Sequence, residues 1–120
     1  MIGSEIAEAV HAEPLAIWNR HLLTKNYRAA FATDLMSDAL AMIREYPDET
    51  VLITGLCNAQ VLRTAEMLDI EMIIIVRGKK LGQDEIEMAQ DMGCNLFTTE
   101  LTMYEACGLL YQKGMRGIEK

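Results

Sequence analysis

Three times along this chain a short apolar run stops at a turn and hands over to a helical pattern. Thr50-Val-Leu-Ile-Thr-Gly-Leu-Cys-Asn58 is the clearest case, and the rhythm returns at Glu71-Met-Ile-Ile-Ile-Val-Arg-Gly78 and at Cys94-Asn-Leu-Phe-Thr-Thr99. Serial strand-turn-helix units demand a mainly parallel sheet, because right-handed crossovers return each strand in the same sense. The run Met72 to Val76 is unbroken rather than alternating, as for a central strand covered on both faces. The expected fold is therefore α/β: a single small domain, residues 1–118 with a tail at 119–120, on a mainly parallel four- to five-stranded sheet flanked by helices. All three turns should open at one carboxyl edge, where helix N-termini present unpaired N–H groups.

Around that frame, Ser4 is placed to cap a first helix reaching about His11. Pro14 then breaks the pattern and Leu15 to Trp18 reads as a short strand. Residues 19–26 show no period and read as a loop. Tyr27 to Ala32 reads as a strand, after which Thr33 or Asp34 caps a helix whose stripe is Met36, Ala39, Leu40, Ile43 and Tyr46, ended by Pro47. Asn58 to Leu68 and Gln83 to Met92 read as helices, the second closed by Gly93. Thr99 or Thr102 caps the last helix, with Tyr104, Cys107 and Tyr111 as its stripe, and Gly114 and Gly117 mark a frayed tail.

Composition narrows the function. With 51% hydrophobic but only 6% aromatic residues, the core is built of Leu, Ile, Val, Met and Ala, and 120 residues suffice without a disulfide or metal staple. Nine methionines suit either an adaptable core or a Met-lined association surface. A net charge of −7 argues against nucleic acid, since phosphate contacts need clustered bases and the one cluster here, Arg77-Gly-Lys-Lys80, is short. Cys57, Cys94 and Cys107 form no Cys-x-x-Cys pair and lie at no metal spacing from His11 or His21, which fits free thiols in a reducing cytoplasm. No signal, lipidation pattern or membrane-length apolar run is evident, so a soluble cytoplasmic protein is expected.

Chemistry at the carboxyl edge points to binding. Thr54, Gly55 and Asn58 can cradle an anion: the glycine lets the backbone approach, the hydroxyl donates, and the helix start supplies N–H groups. A tight turn with an Asn cap explains the same residues, and neither a P-loop nor a Gly-x-Gly-x-x-Gly fingerprint is present. Arg77 and Gly78 follow a central strand, so the guanidinium reaches the same edge and suits phosphate or carboxylate; an ion pair with Asp84 or Glu85 is the simpler alternative. Thr98 and Thr99 add hydroxyls, one of them explicable as a helix cap. Cys57 precedes a helix without a base beside it, Asp34 and Asp38 lie one turn apart as cap and solvated charge, and His11 and His21 lack partners. No catalytic residue, metal ligand or cofactor follows.

Asp34-Leu-Met-Ser-Asp-Ala-Leu40 resembles the Asp-Leu-Leu-Ser motif opening the long helix of DRTGG domains. Val51-Leu-Ile-Thr-Gly-Leu-Cys-Asn-Ala-Gln-Val-Leu62 resembles that family's strand, turn and helix, and Leu96 to Glu105 meets its pattern Leu-x-Thr-x-x-x-Ser/Thr-x-Tyr/Phe-Glu. Ser4 to Val10 is placed like the family's opening helix, so the likeness spans nearly the whole chain and is to the small stand-alone members, relatives of the HPr serine kinase N-terminal domain. The naming letters do not appear, and the family's Gly-Asp-Arg turn is replaced by Gly55-Leu56-Cys57. Such domains occur in phosphotransacetylases and CBS-type pyrophosphatases. The resemblance implies a non-catalytic regulatory or scaffold domain that often dimerises; together with the chemistry of the carboxyl edge, the expected function is a self-associating regulatory domain, a homodimer, that takes a nucleotide-like or phosphorylated ligand there. A ligand-free protein-interaction adaptor and, more remotely, an enzyme with thiol or carboxylate chemistry are the alternatives.

Overall fold

The structure is a computed structural model that describes residues 1–118; the expected tail at 119–120 lies outside the described residues. Its helices are α1 (Gly3–Ala9), α2 (Met36–Met42), α3 (Ala59–Leu68), α4 (Gln83–Met92) and α5 (Met103–Gln112). Its strands are β1 (Glu13–Ala16), β2 (Ala29–Ala32), β3 (Thr50–Thr54), β4 (Met72–Ile75), β5 (Asn95–Thr98) and β6 (Arg116–Gly117), in the sheet order β1-β5-β4-β3-β2-β6. All neighbours are parallel except β1, which lies antiparallel to β5 at one edge. The sheet has six strands rather than four or five because β6 joins it at the margin beside β2. Pro14 is tolerated in β1 because an edge strand needs only one side of its ladder.

Residue alternation sorts the sheet into two cores. Leu52, Ile73, Ile75 and Leu96 face one way, against Met36 and Ala39 of α2, Val61, Leu62 and Ala65 of α3, and Ala89 of α4. Val51, Ile53, Met72, Ile74 and Phe97 face the other way, against Ile6 of α1, Val10 just after it, and Ala106 and Leu110 of α5. Ile73, Ile74 and Ile75 are fully buried, which is why β4 reads as an unbroken apolar run. Each contributes about 2–3 kcal/mol of burial before ordering entropy is subtracted. The handedness of crossovers explains the layering: β2 to β5 step across the sheet in one direction with α2, α3 and α4 on one face, while the return from β5 to β6 runs the opposite way and carries α5 on the other face.

Several boundaries differ from expectation. Ile2, not Ser4, is the N-cap of α1, and Glu5 accepts the Ile2 N–H at 3.2 Å. The strand expected at residues 15–18 lies at Glu13–Ala16, and Arg20–Leu23 forms a 3-10 turn where a loop was expected. Helix α2 stops at Met42, because Ile43 turns extended and Tyr46 takes a left-handed conformation (φ 55°) ahead of Pro47. The stripe on α5 is also different: Tyr104 and Tyr111 face solvent, and Ala106 and Leu110 are the buried pair. The expected frayed tail is β6, pairing Arg116 with Ala29 and Gly117 with Ala30.

Candidate functional site

Parallel register brings the strand ends level. Thr54 pairs with Ile75, and Ile75 pairs with Thr98, so the reversals after β3, β4 and β5 share one rim. Because α4 and α5 leave on opposite faces, the topological switch point lies between β4 and β5, where open α/β sheets usually take ligands. Here the two loops are joined by backbone hydrogen bonds. Arg77 N–H donates to the Leu101 carbonyl at 2.8 Å, and Gly78 N–H to the Thr99 carbonyl at 2.7 Å. Both residues are left-handed, Arg77 at φ 63° and Gly78 at φ 68°. For the arginine this conformation is costly, and the paired amides hold it in place. A Cβ at position 78 would stand 2.5 Å from the Glu100 carboxylate, the end of a flexible side chain that can move aside, so it is the left-handed backbone that favours glycine here.

This backbone turns the Arg77 side chain toward β3. A Cβ on Gly55 would collide with the guanidinium, which shows how closely the two approach. From the loop after β2, Asp34 crosses to the same spot: Oδ1 accepts the Gly55 N–H at 2.6 Å, and Oδ2 lies 4.0 Å from Arg77 Nη2. Both side chains are about half exposed, at 47% for Arg77 and 53% for Asp34, so solvent screens the ion pair and the short charge-assisted hydrogen bond is its stronger part. Asp34 was expected as a helix cap. Instead Leu35 is the N-cap of α2, Thr33 Oγ1 accepts the Leu35 N–H at 3.0 Å, and the carboxylate is released for the cross-loop contact.

The remaining rim residues are committed internally. Thr54 is fully buried and its Oγ1 accepts the Leu56 N–H at 3.0 Å. Asn58 caps α3, accepting the Gln60 N–H at 3.0 Å. Thr98 Oγ1 donates to the Lys79 carbonyl at 2.7 Å. Thr99 Oγ1 donates to the Val10 carbonyl at 2.7 Å and accepts the Leu101 N–H, tying α1 to the rim, while Thr102 rather than Thr99 caps α5. Sequence reading missed Asn95, a buried amide whose oxygen accepts the Trp18 and Asn19 N–H groups and whose nitrogen donates to the Asn19 carbonyl. The three cysteines are unpaired. Burial, with a contribution from Glu71, pushes the Cys94 thiol up to about 12, and burial also raises Cys107.

Fold and rim together define a small α/β domain with a charged latch at the carboxyl edge of a mainly parallel sheet. Against family models and against curated proteins the chain has no match. Among solved structures it is similar to the CBS and DRTGG domains of the regulatory region of a pyrophosphatase from Clostridium perfringens, a structure in complex with the activator diadenosine tetraphosphate. The TM-score is 0.69 at 18% identity, over 89% of this chain and 44% of that one. The chain thus spans less than half the length of that relative, and the likeness is one of fold. The DRTGG resemblance carried by Asp34 to Leu40, Val51 to Leu62 and Leu96 to Glu105 agrees with it. No helix among the described residues is long and apolar enough to cross a membrane.

Proposed function

We propose that this chain is a regulatory, non-catalytic domain that binds a nucleotide-like or phosphorylated ligand at the carboxyl rim. The observation that supports it most is the Asp34 carboxylate seated on the Gly55 amide and facing Arg77. An anion already fills a place built from a backbone donor and a guanidinium, and a phosphate group has the charge and acceptors to replace it. Of the residues singled out in the sequence, Gly55 and Arg77 carry the ligand, while Thr54, Asn58, Gly78, Thr98 and Thr99 shape the turns. The activator of the pyrophosphatase regulatory region makes nucleotides the first ligands to try.

Displacing Asp34 releases the loop leading into α2. Leu35 at its N-cap and Leu40 and Met42 on that helix are exposed, which suits self-association and couples ligand to assembly by a shift between two populations. Unpaired thiols agree with a cytoplasmic setting. A thermal-shift screen with ATP, acetyl phosphate and glucose 6-phosphate tests the site, run on wild type and Arg77→Ala. Stabilisation lost in the variant supports it; equal stabilisation of both proteins counts against it. Sedimentation at several concentrations tests self-association, which a monomer throughout would remove. A second reading, a protein-interaction adaptor without a ligand, is favoured by the internal use of Thr54, Thr98 and Thr99 and by the paired loops at the switch point. No hit in the screen would move weight to it.

A further inference from the structure

At the opposite, amino edge of the sheet lies a cavity of about 670 Å³, within the range of small-molecule sites. Three separate elements each deliver an arginine to its wall: Arg28 from the entry to β2, Arg44 from the segment after α2, and Arg116 from β6. In a chain carrying −7 overall, three guanidiniums against the single lining carboxylate of Glu45 give this cavity a formal +2.

Each guanidinium is held by a specific contact. Arg28 stacks on Tyr46, its Cζ 3.7 Å from the ring centroid, and its Nε lies 4.0 Å from Glu49. Arg44 Nε donates to the Ala41 carbonyl at 3.1 Å, closing the end of α2. Arg116 lies over Tyr111 at 4.5 Å and donates to the Tyr111 and Met115 carbonyls, both at 3.4 Å. An arginine has five N–H donors, and these contacts leave several on each. Among the described residues, no carboxylate lies within 4.0 Å of Arg44 or Arg116. Arginines fixed in this way lose little entropy when they bind an anion. Met42, Ile118 and the Tyr46 ring supply apolar wall between the charges.

We infer that this cavity is a second binding site, separate from the carboxyl rim, for a small organic polyanion bearing two or more phosphate or carboxylate groups. Arg28, Arg44 and Arg116 anchor the charges, and Met42, Tyr46 and Ile118 cover the ligand body. The helix stop at Met42 and the left-handed Tyr46 make the opening, and β6 builds its outer wall.

Titration calorimetry at low salt with inorganic tripolyphosphate and with citrate tests this on wild type, Arg44→Gln, Arg116→Gln and Arg77→Gln. All three arginines are exposed, and far-UV circular dichroism confirms that each variant is folded. Saturable binding of either anion is expected, its cavity component weakened about tenfold or more by Arg44→Gln and by Arg116→Gln and retained in Arg77→Gln, which removes only binding at the rim. Binding of tripolyphosphate alone marks a phosphorylated ligand, and binding of citrate alone a carboxylated one. No saturable binding, binding indifferent to Arg44 and Arg116, or binding lost in Arg77→Gln would each overturn the inference. The last would assign the anion to the rim.

Discussion

Replacing Thr99 by valine keeps the shape of the side chain and removes only its hydroxyl. That hydroxyl is 2.7 Å from the Val10 carbonyl, 89 residues away in sequence, and 3.2 Å from the Leu101 amide. Thr99 is 2% exposed and Val10 is fully buried, so the Val10 carbonyl is stranded away from water, while the Leu101 amide is only partly buried. Two lost hydrogen bonds at about 1 kcal/mol each, plus part of the desolvation of the stranded groups, give an expected loss of about 2–3 kcal/mol. That is a large fraction of the 5–15 kcal/mol or so typical of a domain. With a urea slope of about 1.5–2 kcal/mol per molar, the unfolding midpoint should fall by about 1–2 M at unchanged slope. Thr98→Val is the control, since its hydroxyl makes one such bond, to the Lys79 carbonyl, and should cost about 1 kcal/mol. The assay is equilibrium urea unfolding followed by circular dichroism. A Thr99→Val variant within about 0.5 kcal/mol of wild type would refute the reasoning, since a net hydrogen bond costs at least that much to lose. So would one that kept its stability but lost every ligand response.

Other perturbations have equally definite outcomes. Gly78→Ala should cost about 1–2 kcal/mol in urea unfolding, because its left-handed backbone penalises a Cβ. Gly55→Ala should cost less, since the group that must move is the end of the flexible Arg77 side chain, yet it should disturb the latch and weaken any rim ligand. Alkaline stability should depend on Cys94. Its thiol is raised in the folded state from the ordinary 9.0 to about 12, so the unfolded chain loses that proton first, and stability falls as pH rises from about 9 toward about 12. Urea unfolding at pH 8 and pH 10.5 should show a shallower fall for Cys94→Ala, with burial of Tyr27 leaving a residual slope above pH 10.

Periodicity made most of this fold legible. The limits of α4 were readable to the residue because its stripe ends at a turn residue, Gly93. What was not legible depends on partners far away in sequence. Tyr46 fits the α2 stripe by spacing, but Pro47 constrains the residue before it, and the chain leaves the helix four residues early. Arg116 and Gly117 have weak strand propensity and pair only because α5 delivers them beside β2. The rim was foreseeable from three turns in one register, and Arg77 and Gly55 do meet there. Asp34 was legible only as a cap, because nothing local indicates that its carboxylate spans to Gly55. The arginine cavity left no motif, since Arg28, Arg44 and Arg116 are isolated in sequence.

An amide-resolved NMR titration of ATP examines the rim most directly, with the Gly55 N–H and the Arg77 side chain as reporters. Saturable shifts at both are expected, with affinity raised about fivefold in Asp34→Ala, where the internal competitor of about 1 kcal/mol is gone, and lowered about tenfold or more in Arg77→Gln. Shifts that bypass Gly55, or affinities that move in the same direction in the two variants, would contradict a rim whose own carboxylate holds the place of a ligand's phosphate.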